Sequence, residues 1–310
     1  MNILFAGTPA IAVECLAALV AAGHRVEVLT NPDAVSGRGS SLTPPPVKVC
    51  AQALGLPVHQ PPKLDAAARQ PLEDRFDLLV SFAYGRIFGP LFLGLFPSGG
   101  VNVHPSLLPR WRGPSPLMAA LLARDARTGI SVQRLAQKMD SGDVLEQVVL
   151  DLEGTETTGS LTDWAAEAAA PLLVRVVAAL EAGTAVGAPQ DETQATFCSM
   201  VSKAEGRLDW GLAAAELDAR IRAFDPWPGT FTAWGGQRLA LRRSSLVAST
   251  DGAPAGTVVA VDKSKGILVQ TGDGLVAVRE LQLPGRKSMD FRSFLNGNPS
   301  LVGSRLGEPT

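Results

Sequence analysis

Cysteine is scarce: only Cys15, Cys50 and Cys198 occur in 310 residues, widely separated and odd in number. That excludes a disulfide framework and the usual metal-ligand spacings, and fits a reducing compartment. No apolar run reaches the roughly 18 residues of a membrane span. The charged-then-apolar order of a signal peptide is also missing, because residues 1–6 run straight into a strand-like stretch. A soluble, cytoplasmic protein is expected. Charge of one sign is lacking too, with 28 basic and 30 acidic residues netting −2, so no global field advertises a polyanion partner. Several site signatures are absent. Gly7-Thr8-Pro9 is not followed by the further glycines of a dinucleotide fingerprint, and Gly37-Arg38-Gly39 lacks the Gly-Lys-Ser/Thr of a phosphate loop. Ser106 has no Gly-x-Ser-x-Gly elbow, and the cysteines have no paired histidine. Serine-hydrolase and thiol chemistry are therefore excluded.

Against these absences stand 46% apolar and 19% charged residues, enough for packed cores. At roughly 150 residues per domain the length suggests two domains. The first part alternates short apolar runs with helical periodicity. Strands are predicted at 2–6, 26–30, 57–59, 78–83, 100–104, 130–135 and 144–152, with helices at 10–22, 47–54 and 161–180. Residues 31–46 read as a long loop. This is the pattern of an α/β, doubly wound, mostly parallel sheet. After a turn-rich connector and a helix at 212–223, five short β-like runs (230–234, 239–241, 256–261, 267–270 and 274–281) suggest a small open barrel of the oligonucleotide-binding (OB) type. The expected boundaries are a first domain at 1–189, a connector at 190–205 and a second domain at 206–310. Residues 1–200 hold 14 basic and 19 acidic side chains, a net of −5, whereas residues 201–310 hold 14 and 11, a net of +3. The second part thus has a cationic excess that the total conceals.

Ligands of open α/β sheets sit outside the carboxyl ends of the strands, and two predicted strand ends carry polar clusters. One is Ala83-Tyr84-Gly85; the other is Asn102-Val103-His104-Pro105-Ser106. Asn102 and His104, two apart on a strand, face the same way. An amide donor beside an imidazole suits an acyl-transfer centre, although a capping Asn and a satisfied edge histidine have the same spacing. Only His24, His59 and His104 exist, and the first two lie in loop-like contexts without acidic neighbours in sequence. The Pro-rich stretch from Ser106 to Pro114 is either a crossover loop or a stiff loop whose backbone reads a flat heterocycle. Asp140-Ser141-Gly142-Asp143 is either a plain turn or the source of a carboxylate for His104. Metal ligation is not expected.

Taken in order, these residues resemble a known family. Phe5-Ala6-Gly7-Thr8-Pro9, Pro32-Asp33, Gly37-Arg38-Gly39 and Pro45-Pro46-Val47-Lys48 are similar to the methionyl-tRNA formyltransferases. So are Ala83-Tyr84-Gly85, the run from Asn102 to Gly113, and Met139-Asp140-Ser141-Gly142-Asp143. The likeness continues through Ser202-Lys203, Leu208-Asp209-Trp210, Ile221-Arg222-Ala223-Phe224, Pro226-Trp227-Pro228 and Thr271-Gly272-Asp273-Gly274. It implies a two-domain, monomeric enzyme moving a formyl group from 10-formyltetrahydrofolate to the amino group of methionine on initiator tRNA. Asn102, His104 and Asp140 match the family's catalytic trio, and Ser106, Leu107, Leu108, Pro109 and Tyr84 its folate-contacting positions. On that resemblance the long loop carrying Arg38 suits entry into the acceptor stem, and Lys203, Arg222, Arg286 and Lys287 are candidates for holding the tRNA backbone. The chain departs from the family pattern at Pro105, Met200 and Gly89. Formyltransferases acting on nucleotide-linked amino sugars and the hydrolase half of formyltetrahydrofolate dehydrogenase share the chemistry, but the Gly37-Arg38-Gly39 loop looks like the tRNA type. A binding-only protein of the same fold is the remaining alternative.

Overall fold

The computed structural model describes residues 1–35, 42–247 and 252–307. They form two compact units. The first comprises 1–116, 127–151 and 162–199, and the second 117–126, 152–161 and 200–310. Two short pieces from the middle of the chain, 117–126 and 152–161, thus group with the second unit.

In the first unit the chain runs through β1 (Asn2–Gly7), α1 (Val13–Ala21), β2 (Arg25–Leu29), the short pair β3 (Ala34–Val35) and β4 (Leu42–Thr43), α2 (Pro46–Ala53) and β5 (Val58–His59). It continues through α3 (Ala66–Arg69), β6 (Leu78–Phe82), α4 (Pro90–Leu93), β7 (Gly100–His104), α5 (Pro116–Leu122), β8 (Arg127–Arg134), β9 (Val144–Asp151) and α6 (Thr158–Glu181). Most of α5 and the first residues of α6 belong to the second unit's segments. The sheet order is β5-β2-β1-β6-β7-β8-β9. Pairing is parallel from β5 to β7 and antiparallel at β7–β8 and β8–β9.

Alternation along the strands explains the two cores. Ile3 and Phe5 of β1 pack on one face with Cys15, Leu16 and Leu19 of α1 and with Ala165, Ala169, Leu172, Leu173, Val176 and Val177 of α6. Those α6 positions recur every three or four residues, the stripe of an amphipathic helix. Leu4 and Ala6 face the other side, where Leu29, Leu79, Tyr84, Phe88, Phe92 and Phe96 gather. The loop expected at 31–46 contains the β3–β4 pair. Two-residue strands leave too little alternation to be seen in sequence.

In the second unit, α7 (Ala214–Ala223) precedes β10 (Thr230–Trp234), β11 (Gln237–Val247), β12 (Val258–Asp262), β13 (Gly266–Gln270), β14 (Leu275–Gln282), β15 (Met289–Asp290) and α8 (Phe291–Gly297). The antiparallel sheet runs β10-β11-β14-β13-β12, with β15 on β14. Leu217 and Ile221 of α7, Phe291 and Phe294 of α8, and Val276 and Val278 of β14 meet in its core. β11 is far longer than the 239–241 run suggests. The polar sequence Arg242-Arg243-Ser244-Ser245 breaks the alternation, but β14 pairs on both sides of Arg242 and on to Val247, with register shifts around Arg243. Among the described residues no helix is long and apolar enough to cross a membrane.

Candidate active site

β7 reads Gly-Val-Asn-Val-His. Val101 and Val103 enter the core shared with α1 and α6, which turns Asn102 and His104 to the opposite face. The β7–β8 register places Gln133 across from Asn102 and Ser131 across from His104. Asn102 is half-buried and His104 only 4% exposed.

Asp140, contributed by the loop between β8 and β9, completes the cluster. Its Oδ1 lies 3.7 Å from His104 Nδ1, 3.5 Å from Asn102 Nδ2 and 3.1 Å from Gln133 Nε2. Its Oδ2 accepts the Gly113 N–H at 2.9 Å. His104 Nε2 lies 2.8 Å from the Trp111 carbonyl oxygen. A carbonyl only accepts, so Nε2 carries a proton and Nδ1 is the nitrogen that faces Asp140. The Asn–His–Asp set expected from sequence is brought together.

The surrounding backbone is held in costly conformations. Ala83 (φ 51°), Trp111 (φ 60°) and Asp140 (φ 51°) lie in the left-handed region, three of the five described non-glycine residues that do. Ala83 directly follows β6, and Trp111 and Asp140 lie on the loops after β7 and β8, where neighbouring contacts must impose the strain. Gly142 is required by close approach, because a Cβ there would collide with the Arg134 carbonyl oxygen.

The stretch after β7 is braced rather than open. Ser106 has no exposed surface; its hydroxyl donates to Arg110 O at 2.6 Å. Leu108 is buried, its N–H donating to Ser131 Oγ at 3.0 Å. Leu107 and Pro109 keep partly exposed surface. The Tyr84 side chain is 1% exposed and stacks on Phe88 in the core, while its backbone carbonyl accepts from Asn31 Nδ2 at 2.8 Å. Burial pushes the Tyr84 phenol above its ordinary range. Ile87 and Met139, on the loops after β6 and before Asp140, are 76% and 54% exposed.

The tRNA-facing expectations separate. Arg38 lies outside the described residues. Lys203 is exposed in the second unit. Arg222 is not a surface cation: it bonds Asp218 at 2.9 Å and the Glu156 carbonyl at 3.1 Å, with a 14% exposed side chain. Of the departures, Met200 is 79% exposed, Pro105 is half-buried, and Gly89 caps α4 with open space where a Cβ would stand.

Sequence reasoning missed the polar groups behind Asp140. Gln133 and Gln190 carry no motif. Gln133 becomes visible only through the strand register, and Gln190 lies in what reads as a connector. Among the described residues no group of three or more His, Cys, Asp or Glu side chains could hold a metal ion.

The family described as "Formyl transferase" matches residues 1–177, and "Formyl transferase, C-terminal domain" matches 200–299. Residues 178–199 fall between the two matches. A methionyl-tRNA formyltransferase of Treponema pallidum is 45% identical over 99% of each chain. One of Chloroflexus aurantiacus is 43% identical over 99% of this chain and 100% of its own. In fold, the crystal structure of WlaRD, a sugar 3N-formyl transferase in the presence of dTDP and 5-N-formyl-THF, superposes with a TM-score of 0.69 at 14% identity, covering 93% of this chain and 99% of that one. On the strength of these full-length identities, the chain belongs to the methionyl-tRNA formyltransferase family.

Proposed function

We propose that Asn102, His104 and Asp140 carry the transfer of a formyl group from 10-formyltetrahydrofolate to the amino group of methionine on initiator tRNA. The observation supporting this most is the convergence of the Asn102 amide and His104 Nδ1 on one oxygen of Asp140, at the carboxyl edge of the sheet. The donor set fits a folate formyl donor: a neutral N–H and a titratable nitrogen stand beside a carboxylate. The exposed Ile87 and Met139 offer apolar surface for a flat ring on the flanking loops.

The folate co-substrate supplies an electrophilic formyl carbon. The Asn102 N–H stabilises negative charge developing on the formyl oxygen, joined by the proton that His104 holds at Nδ1. Asp140 supports the imidazolium and accepts the proton released by the attacking amine, directly or through water. Protonation of the departing folate nitrogen completes the exchange. Donor contacts by Ser106, Leu107, Leu108, Pro109 and Tyr84 run through the backbone and the outward surfaces of Leu107 and Pro109, since the Ser106 and Tyr84 side chains are enclosed.

In this reading residues 1–189 are catalytic, 190–205 connect, and 206–310 help hold tRNA, with Arg38 and Lys203 contacting it. The protein acts as a cytoplasmic monomer. The test is a formyl-transfer assay with 10-formyltetrahydrofolate and charged initiator Met-tRNA, run against elongator Met-tRNA and nucleotide-linked amino sugars. Transfer confined to the initiator is expected, and Asn102→Ala should lower kcat by about 100–1000-fold. Transfer to amino sugars alone would replace the acceptor, and full activity in His104→Ala would remove the catalytic centre from this site.

A further inference from the structure

The segment from 188 to 198, between the two family matches, lies against the catalytic cluster. Its Thr196 carbonyl accepts the Arg112 N–H at 2.9 Å, and the Cys198 N–H donates to the Arg112 carbonyl at 2.8 Å. Gln190 reaches furthest in. Its Nε2 lies 2.9 Å from the Asp140 carbonyl oxygen, 2.7 Å from that of Gly142 and 3.2 Å from Gln133 Oε1. Its own Oε1 accepts from Arg112 Nε at 3.0 Å and Nη2 at 2.8 Å.

The contacts have one direction. A guanidinium has donors only, so Arg112 forces the Gln190 oxygen toward itself and the Gln190 amide nitrogen toward the Asp140 loop. That nitrogen claims Gln133 Oε1, which turns Gln133 Nε2 toward Asp140 Oδ1 at 3.1 Å. Arg112 has no exposed surface, and a buried cation is tolerated only when paired; Glu192 supplies the charge at 2.7 Å. The same arginine links Trp111, whose carbonyl holds His104, to Gly113, whose N–H holds Asp140. A strained turn at Asp140, otherwise free to relax, is thus pinned from both sides.

We propose that Gln190 is a positioning residue for formyl transfer, set by Arg112 and holding the Asp140 carboxylate against Asn102 and His104. The inference rests on the reading of that cluster as the transfer centre. Gln190→Glu tests it, because it keeps an acceptor for Arg112 but replaces the donor that faces Asp140, Gly142 and Gln133. Steady-state assays with initiator Met-tRNA should show kcat reduced about 10–100-fold, the size expected of a misplaced reacting group. KM for Met-tRNA should stay within about twofold, since Gln190 touches the carboxylate's support and not the acceptor. In an Asp140→Ala background, followed by single turnover, the same change should add less than about twofold, because the residue acts through Asp140.

A kcat within twofold of wild type, or a loss that multiplies with that of Asp140→Ala, would overturn the proposal. If Gln190→Glu melts below the assay temperature, Gln133→Met breaks the same link while leaving the Arg112 pair intact, and the same two outcomes decide. Inactive wild-type protein, or a fully active Asp140→Ala, would instead bring down the functional reading and this inference with it. Activity in wild type, impairment in Asp140→Ala and none in Gln190→Glu would sink the inference alone.

Discussion

Arg112 shows how much one residue can organise. Its charge is taken out of water at a cost that Glu192 and Gln190 offset. Arg112 first, and Lys138 second, hold the Glu192 carboxyl down at about 2, against an ordinary 4.5. A carboxyl depressed in the folded state contributes stability that is present above its unfolded value and lost as pH falls through the folded one. The melting temperature of Glu192→Gln should therefore lie below wild type at neutral pH, and the gap should close between pH 4.5 and about 2. Thermal melts across that range check it, and a gap that persists unchanged at pH 2 would contradict the pairing. Cys198 sits in the same neighbourhood. Burial, with the Asp140 charge adding to it, pushes its thiol up despite the Ser115 N–H, so it stays protonated and takes no part as a thiolate.

At the scale of elements, the β7–β8 pair carries the site and Ser131 ties it to the loop that follows. Its buried Oγ donates to the Ser106 carbonyl at 2.6 Å and accepts from Leu108 N at 3.0 Å and Gln147 Nε2 at 2.7 Å. Ser131→Ala leaves the buried Leu108 N–H without its acceptor, while the Gln147 amide keeps only the Leu108 carbonyl at 3.1 Å. It should destabilise the fold by about 1–3 kcal/mol, read from urea unfolding; a loss under about 0.5 kcal/mol would mean that the loop repairs itself. Elements differ in how far their sequences reveal them. The Gly100–His104 strand is legible because valines alternate with polar residues up to a proline. The antiparallel arrival of β8 is not, since nothing local in Arg127–Arg134 states which neighbour it pairs or in which direction.

For the whole molecule, the charge division bears on the acceptor. The first 200 residues net −5 and the rest +3, so a polyanion would find its cations in the second part. Each phosphate neutralised releases counterions, which makes binding weaken with salt at a slope of about 0.7–0.9 per contact. KM for Met-tRNA should rise several-fold between 50 and 200 mM salt, as expected of a few phosphate contacts, while KM for the formyl donor stays nearly flat. Equal insensitivity of both would show that the cationic excess is not used for RNA. Arg222 does not contribute to such a term, being committed to Asp218.

The sequence alone determined the fold class and the succession of the main strands along the chain, and it singled out Asn102, His104 and Asp140 as candidates, because alternation, prolines and ordered motifs are local properties of a chain. It also pointed to the family through motifs spread over nearly its whole length. Tertiary structure decided that Tyr84 and Ser106 turn inward, that β11 outruns its polar break, and that two mid-chain segments pack with the second unit. It alone placed Gln133 and Gln190 behind Asp140. Register and long-range hydrogen bonding join residues tens of positions apart, here Arg112 and Gln190 across a span of 78. No periodicity or spacing records such a meeting, because only the folded chain brings residues 112 and 190 within reach.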